Sequence, residues 1–410
     1  MKIIFATKDI MFYSLYAIFS SFVFETPIFI MYLSYKGIKY SEITLLFSMQ
    51  AFAIIIFEYI TGIIADKYTR KLTLMFSIVM LMIGELVFII GNNILHFAIG
   101  MILIAISVSA RSGADTAYMY DKLIEIKKED CFEDILSSLG SITLILSTGA
   151  CFIGSFLTRI GLYIPFICTI VFSAITFLTL LQFREPNIYS KEQTAKELIG
   201  KSIKTAFGNK TVLGYILLSI VIFPMYHILN WLSQLYLNQN GVRLEYFGIF
   251  YTLITLFESI GTKASGYLSK KYKPAHILFS VSYMIMFGFI LMSFNNSYLP
   301  YLIPAIMGIS FGVYYTINSI VVNRLITSEI RASLLSLQHA LTKITQVVIF
   351  AALSLFIDKF DIGRIFLYLA VIFILLITII YSTSKYSFNI DGVQKEEKYR
   401  ENLNDSEIVP

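Results

Sequence analysis

Charge is what this sequence has least of. Asp, Glu, Lys and Arg together make up 14% of its 410 residues, against about a quarter in soluble domains. That deficit excludes a solvent-exposed globule, a disordered chain and a coiled coil. Cysteine is scarcer still: Cys131, Cys151 and Cys168 offer neither a disulfide framework nor metal-ligand spacing, and they read as packing residues. The histidines His96, His227, His276 and His339 stand singly. No phosphate-binding glycine loop, His-Glu-x-x-His or Cys/His cluster occurs, so the reading is a non-enzyme with no cofactor and no metal. The net charge of +5 sits on an apolar chain rather than a basic polar surface, which excludes nucleic acid as a partner.

What the sequence does have is apolar length. Hydrophobic residues make up 57% and the mean hydropathy is +0.74. A helix needs about 20 apolar residues to cross the hydrocarbon of a bilayer, and uncharged stretches run over Leu86–Ala110, Ile135–Thr158, Ile160–Phe183, Thr211–Val242 and Pro274–Asn323. The last is long enough for two crossings, divided at Asn295-Asn296-Ser297. With the stretches that carry one or two charges, the expectation is an all-α membrane protein with twelve crossings, near 10–34, 42–65, 72–91, 95–121, 135–158, 161–182, 211–238, 245–269, 275–293, 298–322, 331–357 and 363–383. The first apolar run continues through Tyr35 with no small-residue cleavage site, so it reads as a crossing rather than a signal peptide.

Basic residues test the count. With both termini cytoplasmic, Lys36, Lys39, Arg159, Arg243, Lys359 and Arg364 fall outside and Arg111, Lys263 and Lys343 fall within crossings, while all the rest of the 32 Lys and Arg lie inside. Cytoplasmic loops carry that excess. The longest polar interruption, 184–210, separates six crossings in 1–183 from six in 211–384 and reads as a cytoplasmic linker, either a solvated tether or a membrane-surface helix. The stretch 385–410 reads as a disordered tail.

The halves echo each other. Gly62-Ile63-Ile64-Ala65-Asp66-Lys67-Tyr68-Thr69-Arg70-Lys71 follows the second crossing and Gly266-Tyr267-Leu268-Ser269-Lys270-Lys271-Tyr272-Lys273 follows the eighth. Tyr120-Asp121-Lys122-Leu123-Ile124 is likewise answered by Val322-Asn323-Arg324-Leu325-Ile326. The Gly-x-x-x-Asp-Lys-x-x-Arg-Lys run between the second and third of twelve spans resembles the cytoplasmic loop signature of the major facilitator superfamily, with Thr69 where the family usually has glycine. The resemblance implies two pseudo-symmetric six-helix bundles and a conformational latch made by Gly62, Asp66, Arg70 and Asp121; the simpler reading is positive-inside anchoring by Lys67, Arg70 and Lys71. The run from Ala110 to Leu123, paired with that from Asn323 to Ser336, is similar to bacterial drug or multidrug exporters of the same superfamily. The fifth crossing departs from the antiporter pattern Gly-x-x-x-Gly-Pro-x-Gly-Gly, offering Gly140, Gly149 and Gly154 without proline.

Ionisable groups inside a bilayer cost roughly 2.5–3.5 kcal/mol even on lenient scales, so each is a functional candidate. Glu25, followed by Pro27, reads as a proton-coupling or cation-binding acid, with a buried structural acid as the alternative, and Pro27 should bend the helix there. Arg111 and Asp115, four residues apart and so on one face of the fourth crossing, join it, either toward an anionic substrate or as a self-neutralising pair. Glu58, Glu85 and Glu258 read as structural acids, with Lys263 and Lys343 unassigned. The resemblance implies that crossings 1, 4, 7 and 10 line the cavity, which makes Tyr226, His227, Asn230, Trp231, Tyr314, Tyr315 and Asn318 the substrate-binding candidates; interfacial anchoring and packing explain the same aromatics. The function expected is proton-coupled export of hydrophobic or cationic small molecules by a monomer in a bacterial plasma membrane. The alternatives are an uptake carrier for an anionic metabolite, or a polytopic membrane enzyme or sensor.

Overall fold

The structure, a computed structural model, describes residues 7–67, 69–185, 208, 210–294, 296, 298–325 and 328–383, without the side chains of 62–67, 210, 323–325 and 328–333. The proposed linker, apart from 184–185, 208 and 210, and the tail 385–410 lie outside the described residues, as do the side chains of Gly62 and Asp66. Every long element is helical: α1 (Lys8–Ser20), α2 (Phe29–Tyr35), α3 (Tyr40–Lys67), α4 (Arg70–Ile90), α5 (Ile94–Arg111), α6 (Ala114–Glu125), α7 (Phe132–Leu157), α8 (Ile164–Leu181), α9 (Lys210–Gln239), α10 (Phe247–Lys271), α11 (Pro274–Met292), α12 (Leu299–Leu325), α13 (Ser328–Phe356) and α14 (Ile362–Thr383).

Among the described residues ten segments are long and apolar enough to cross a membrane, α5 and α6 counting as one. The two crossings missing from that ten have physical reasons. The first is broken into α1 and α2, each too short alone. The eighth, α10, carries Glu258, Lys263, Lys270 and Lys271. With both included the chain crosses twelve times, as expected. Large apolar side chains such as Ile145, Leu178, Val348 and Leu375 face outward while Ser77, Thr169, Ser219 and Ser282 are buried, the distribution of a protein solvated by lipid.

Two expectations are corrected. The first crossing does not merely bend at Pro27; it stops at Ser20, where the Ser20 and Ser21 hydroxyls bond back to the carbonyls of Ala17 and Ile18. It resumes as a single 3₁₀ turn over Thr26–Ile28. Nor is the fourth crossing one helix, because Gly113 takes φ +77° and separates α5 from α6. A left-handed residue ends an α-helix, and glycine adopts it without a Cβ penalty.

Contacts divide the chain into two compact units. One comprises Met1–Glu192 with Ile228–Thr255 and Lys343–Ile362, the other Gln193–His227, Leu256–Thr342 and Gly363–Pro410. The first unit thus takes in the ends of α9, α10 and α13 that lie away from the basic loops.

Candidate functional site

In the first unit, the break in the first crossing is held by side chains from two other crossings and accommodated by a glycine of a third. The Phe24 N–H donates to Thr169 Oγ1 at 3.0 Å, and the Thr169 hydroxyl in turn donates to Glu25 Oε2. Gly154 of α7 lets the Phe24 carbonyl approach so closely that a Cβ there would lie 1.9 Å from the oxygen. Gln234 of α9 accepts from the Ile30 N–H at 2.8 Å and donates to the Thr26 carbonyl at 2.9 Å. These bonds satisfy backbone groups that the lost helix turns leave open, which lipid could not do. Glu25 is 6% exposed.

Toward the basic side of the same unit, a cavity of about 380 Å³ is lined by Tyr13, Tyr16, Ser20, Arg111, Asp115 and Thr116 among others. Because Gly113 interrupts the helix, Arg111 and Asp115 do not follow the four-residue face rule: Arg111 closes the last turn of α5 and Asp115 opens the first turn of α6. Each charge therefore complements its own helix dipole. Asp115 Oδ1 accepts from the Thr116 N–H at 2.6 Å, and among the described residues no ion pair joins it to Arg111. Both charged groups are presented to the cavity.

In the second unit, α10 and α12 cross through glycine. A Cβ on Gly261 would meet the Ile309 carbonyl oxygen at 2.2 Å, and one on Gly312 would meet that of Glu258 at 2.1 Å. This close crossing sets Glu258 beside α9, where Tyr226 donates its hydroxyl to Glu258 Oε2 at 3.2 Å. Tyr226 lies edge-on to Phe311 and Tyr315, with centroids 4.9 and 5.5 Å away, and Tyr315 stacks on Phe223 at 5.1 Å. A carboxylate is thus set against aromatic rings. Glu258, read from sequence as a structural acid, is brought to Tyr226 by this crossing, a partner the sequence did not indicate. A glycine one turn after it on the same helix was the available signal.

The remaining substrate candidates are placed differently. Tyr314 and Asn318 are buried and meet at Ser219, whose hydroxyl donates to Asn318 Oδ1 at 3.0 Å. His227 lies edge-on to Tyr226 at 6.5 Å. Asn230 and Trp231 belong to the first unit. There the Asn230 carbonyl accepts from the Tyr251 hydroxyl, and Trp231 packs on Phe47 and Phe29 at 4.4 and 5.5 Å.

At the basic end of the first unit, Arg70 Nη1 pairs with Asp121 Oδ2 at 2.9 Å, and Asp121 is fully buried. Next to it the ends of α4 and α8 are tied reciprocally. Glu185 accepts from the N–H groups of Arg70 and Lys71 at 2.8 and 3.1 Å, while Lys71 Nζ donates to the carbonyls of Leu181 and Phe183, both at 2.8 Å. An anion at a helix N-terminus and a cation at a C-terminus are each favourable. Glu185 was another residue that the signature alone did not reveal.

The model of the Major Facilitator Superfamily matches residues 135–349, just over half of the chain. The chain belongs to the major facilitator superfamily. It is 23% identical over 236 residues to a curated relative from Bacillus subtilis (strain 168), described as an uncharacterized MFS-type transporter, YxaM; the match covers 56% of this chain and spans 58% of the relative's length. Among solved structures it is similar to a mutant of the nucleoside transporter NupG (TM-score 0.73, 15% identity, 91% of this chain and 98% of that one). It is also similar to a D-xylose-proton symporter (TM-score 0.71, 11% identity, 90% and 96%). At these identities the likeness is one of fold. The major facilitator architecture of two pseudo-symmetric six-helix bundles accounts for the twelve crossings and for the echo between the loops after the second and eighth. Of the loop that resembles the superfamily signature, Arg70 and Lys71 are seen, in the ion pair to Asp121 and in the two helix caps of the first unit.

Proposed function

We propose that this protein is a secondary active transporter that exports hydrophobic cationic small molecules in exchange for protons. The observation that carries the reading is the Glu258 carboxylate hydrogen-bonded by Tyr226, whose ring belongs to an aromatic cluster with Phe311, Tyr315 and Phe223. Aromatic faces attract an organic cation and a neighbouring carboxylate neutralises it, while the apolar ring area rewards a hydrophobic body. Glu25 and Asp115 in the other unit supply groups able to hold and release a proton, and Arg111 supplies a fixed positive charge beside Asp115. The basic loops and both termini face the cytoplasm in this reading, the protein acts as a monomer, and Arg70 with Asp121 steadies the cytoplasmic end during alternating access.

The test is accumulation of a panel of lipophilic cations in cells expressing the protein, with and without a protonophore. Export lowers accumulation and the protonophore restores it; unchanged accumulation across the panel overturns the reading. One observation favours a second reading. Arg111 lines the 380 Å³ cavity with no ion pair among the described residues, which suits uptake of an organic anion. Flux of labelled anionic solutes into proteoliposomes, lost in Arg111→Gln, would select that reading over export.

A further inference from the structure

Glu85 has no place in the sites described above, yet it is 4% exposed and its Oε2 has no hydrogen-bond partner among the described residues. It lies five residues before the end of α4 at Ile90, and Thr169 lies five residues after the start of α8 at Ile164. At 1.5 Å per residue both sit about 8 Å inside the same end of the bundle. The helices α4 and α8 pack together, and Thr169 is the residue that bonds Glu25. Phe88, one turn after Glu85 on α4, packs on Phe29 at 5.0 Å and on Phe166, one turn before Thr169, at 6.3 Å, so Glu85 and Thr169 lie on the facing sides of α4 and α8. Two carboxyl groups from crossings 1 and 3 therefore share one buried depth.

We propose that Glu25 and Glu85 form a single proton-binding site in which Glu85 carries the proton and Glu25 the negative charge. The hydrogen bonds decide which is which. Thr169 Oγ1 already accepts the Phe24 N–H, so its own hydrogen points to Glu25 and stabilises a carboxylate there. Glu85 Oε2 receives no donor. A buried charged oxygen without a donor, next to a second negative charge, is far costlier than a neutral acid.

Lys36 Nζ is engaged by the Ile89 carbonyl at 3.2 Å, at the end of α4, and among the described residues no cation is bonded to either carboxyl group. The α7 side offers Cys151, whose Sγ lies 3.9 Å from the Val23 carbonyl. Tyr32 of α2 donates its hydroxyl to the Phe88 carbonyl at 3.0 Å, and Gln234 of α9 is neutral. No ion pair reaches either carboxylate among the described residues. One O–H bond forms on Glu85 when the site takes a proton from bulk solvent, and the same bond breaks when that proton returns to solvent. The inference deepens the proton-exchange reading and rests on it for its purpose, though not for its measurement.

The experiment is infrared pH-difference spectroscopy of the purified full chain in lipid nanodiscs, with no substrate and no gradient. The wild type is expected to show a protonated carboxyl band near neutral pH that Glu85→Gln removes. Glu25→Gln takes away the neighbouring negative charge, so the band should titrate lower by about one pH unit or more. Survival of the band in Glu85→Gln, or an unmoved titration in Glu25→Gln, overturns the proposal. If Glu85→Gln does not fold, the Glu25→Gln arm decides alone. Absence of proton-driven export with the band intact and shifted would defeat the transport reading and leave the carboxyl pair standing.

Discussion

Gln234 and Thr26, 208 residues apart in the chain, are joined by a 2.9 Å hydrogen bond from the glutamine amide to the threonine carbonyl, while the same side chain accepts from Ile30 across the 3₁₀ turn. One residue of the seventh crossing thus holds the far edge of the interruption in the first, immediately after Glu25. Replacing Gln234 with Leu leaves a buried N–H and a buried carbonyl without partners, at about 1–3 kcal/mol each. Hydrogen–deuterium exchange should then rise over residues 21–31 and stay unchanged in α11; equal protection in variant and wild type would show that the glutamine does not hold the break.

Gly154→Ala tests the same segment from α7. Its Cβ would meet the Phe24 carbonyl oxygen at 1.9 Å, and that neighbour is backbone. Overpacking of this kind costs about 1–3 kcal/mol, so the thermal midpoint should fall, whereas Gly140→Ala, which meets nothing within 4 Å, should leave it within error. Similar midpoints for both variants would count against the close approach.

The Arg70–Asp121 pair predicts a strongly non-additive cycle. Removing the guanidinium in Arg70→Ala takes an ion-pair partner from a fully buried carboxylate, a loss of up to about 3–5 kcal/mol. Asp121→Asn added to Arg70→Ala should recover much of that, because no uncompensated charge remains. Additive losses in a denaturation series would mean that the pair is not coupled.

Outside the membrane-spanning segments, Glu245 is bonded bidentately by Arg159, with both N···O distances 2.8 Å, and Arg243 reaches it at 3.0 Å. The Arg159 hydrogen bonds hold the Glu245 carboxyl below its ordinary range. A depressed folded-state value means that the contribution to stability is present above the unfolded value, near 4.3, and is lost as pH falls through the folded one. Both arginines are more than half exposed, so the effect is small and salt-sensitive. Wild type and Glu245→Gln should differ in thermal midpoint at neutral pH and low salt and converge in acid; a difference that persists in acid would rule out the ionic origin.

For the aromatic site, Glu258→Gln should weaken binding of a lipophilic cation by tenfold or more and leave a neutral analogue of the same shape unaffected, as read by tryptophan-independent radioligand binding. Tyr226→Phe should do so less, since the ring remains and the hydroxyl bond is lost. Equal loss for cation and neutral analogue would assign Glu258 to packing.

Helix positions were legible because a bilayer admits so few solutions. Backbone groups in hydrocarbon must bond within their own helix, so apolar length translates almost directly into crossings. The expected 211–238 and 72–91 lie within two residues of α9 and α4. The two breaks were less legible. Pro27 marks a bend, but ending the helix at Ser20 needs Thr169 and Gln234 to take over open backbone groups and Gly154 to leave room for the Phe24 carbonyl. Gly113 was part of the quoted motif without announcing φ +77°. Arg70 and Asp121 could be paired through the family resemblance, whereas Glu185 needed the ends of α4 and α8 to be brought together.

Composition and periodicity by themselves determined a twelve-crossing, charge-poor membrane chain in two related halves, because the cost of burying charge and of breaking backbone hydrogen bonds in lipid acts on each segment separately. Which buried groups meet was decided by tertiary structure alone. Glu25 with Thr169, Tyr226 with Glu258, and Gln234 with the broken first crossing are contacts between distant segments, and no local rule of spacing encodes the packing that brings them within a hydrogen bond of one another.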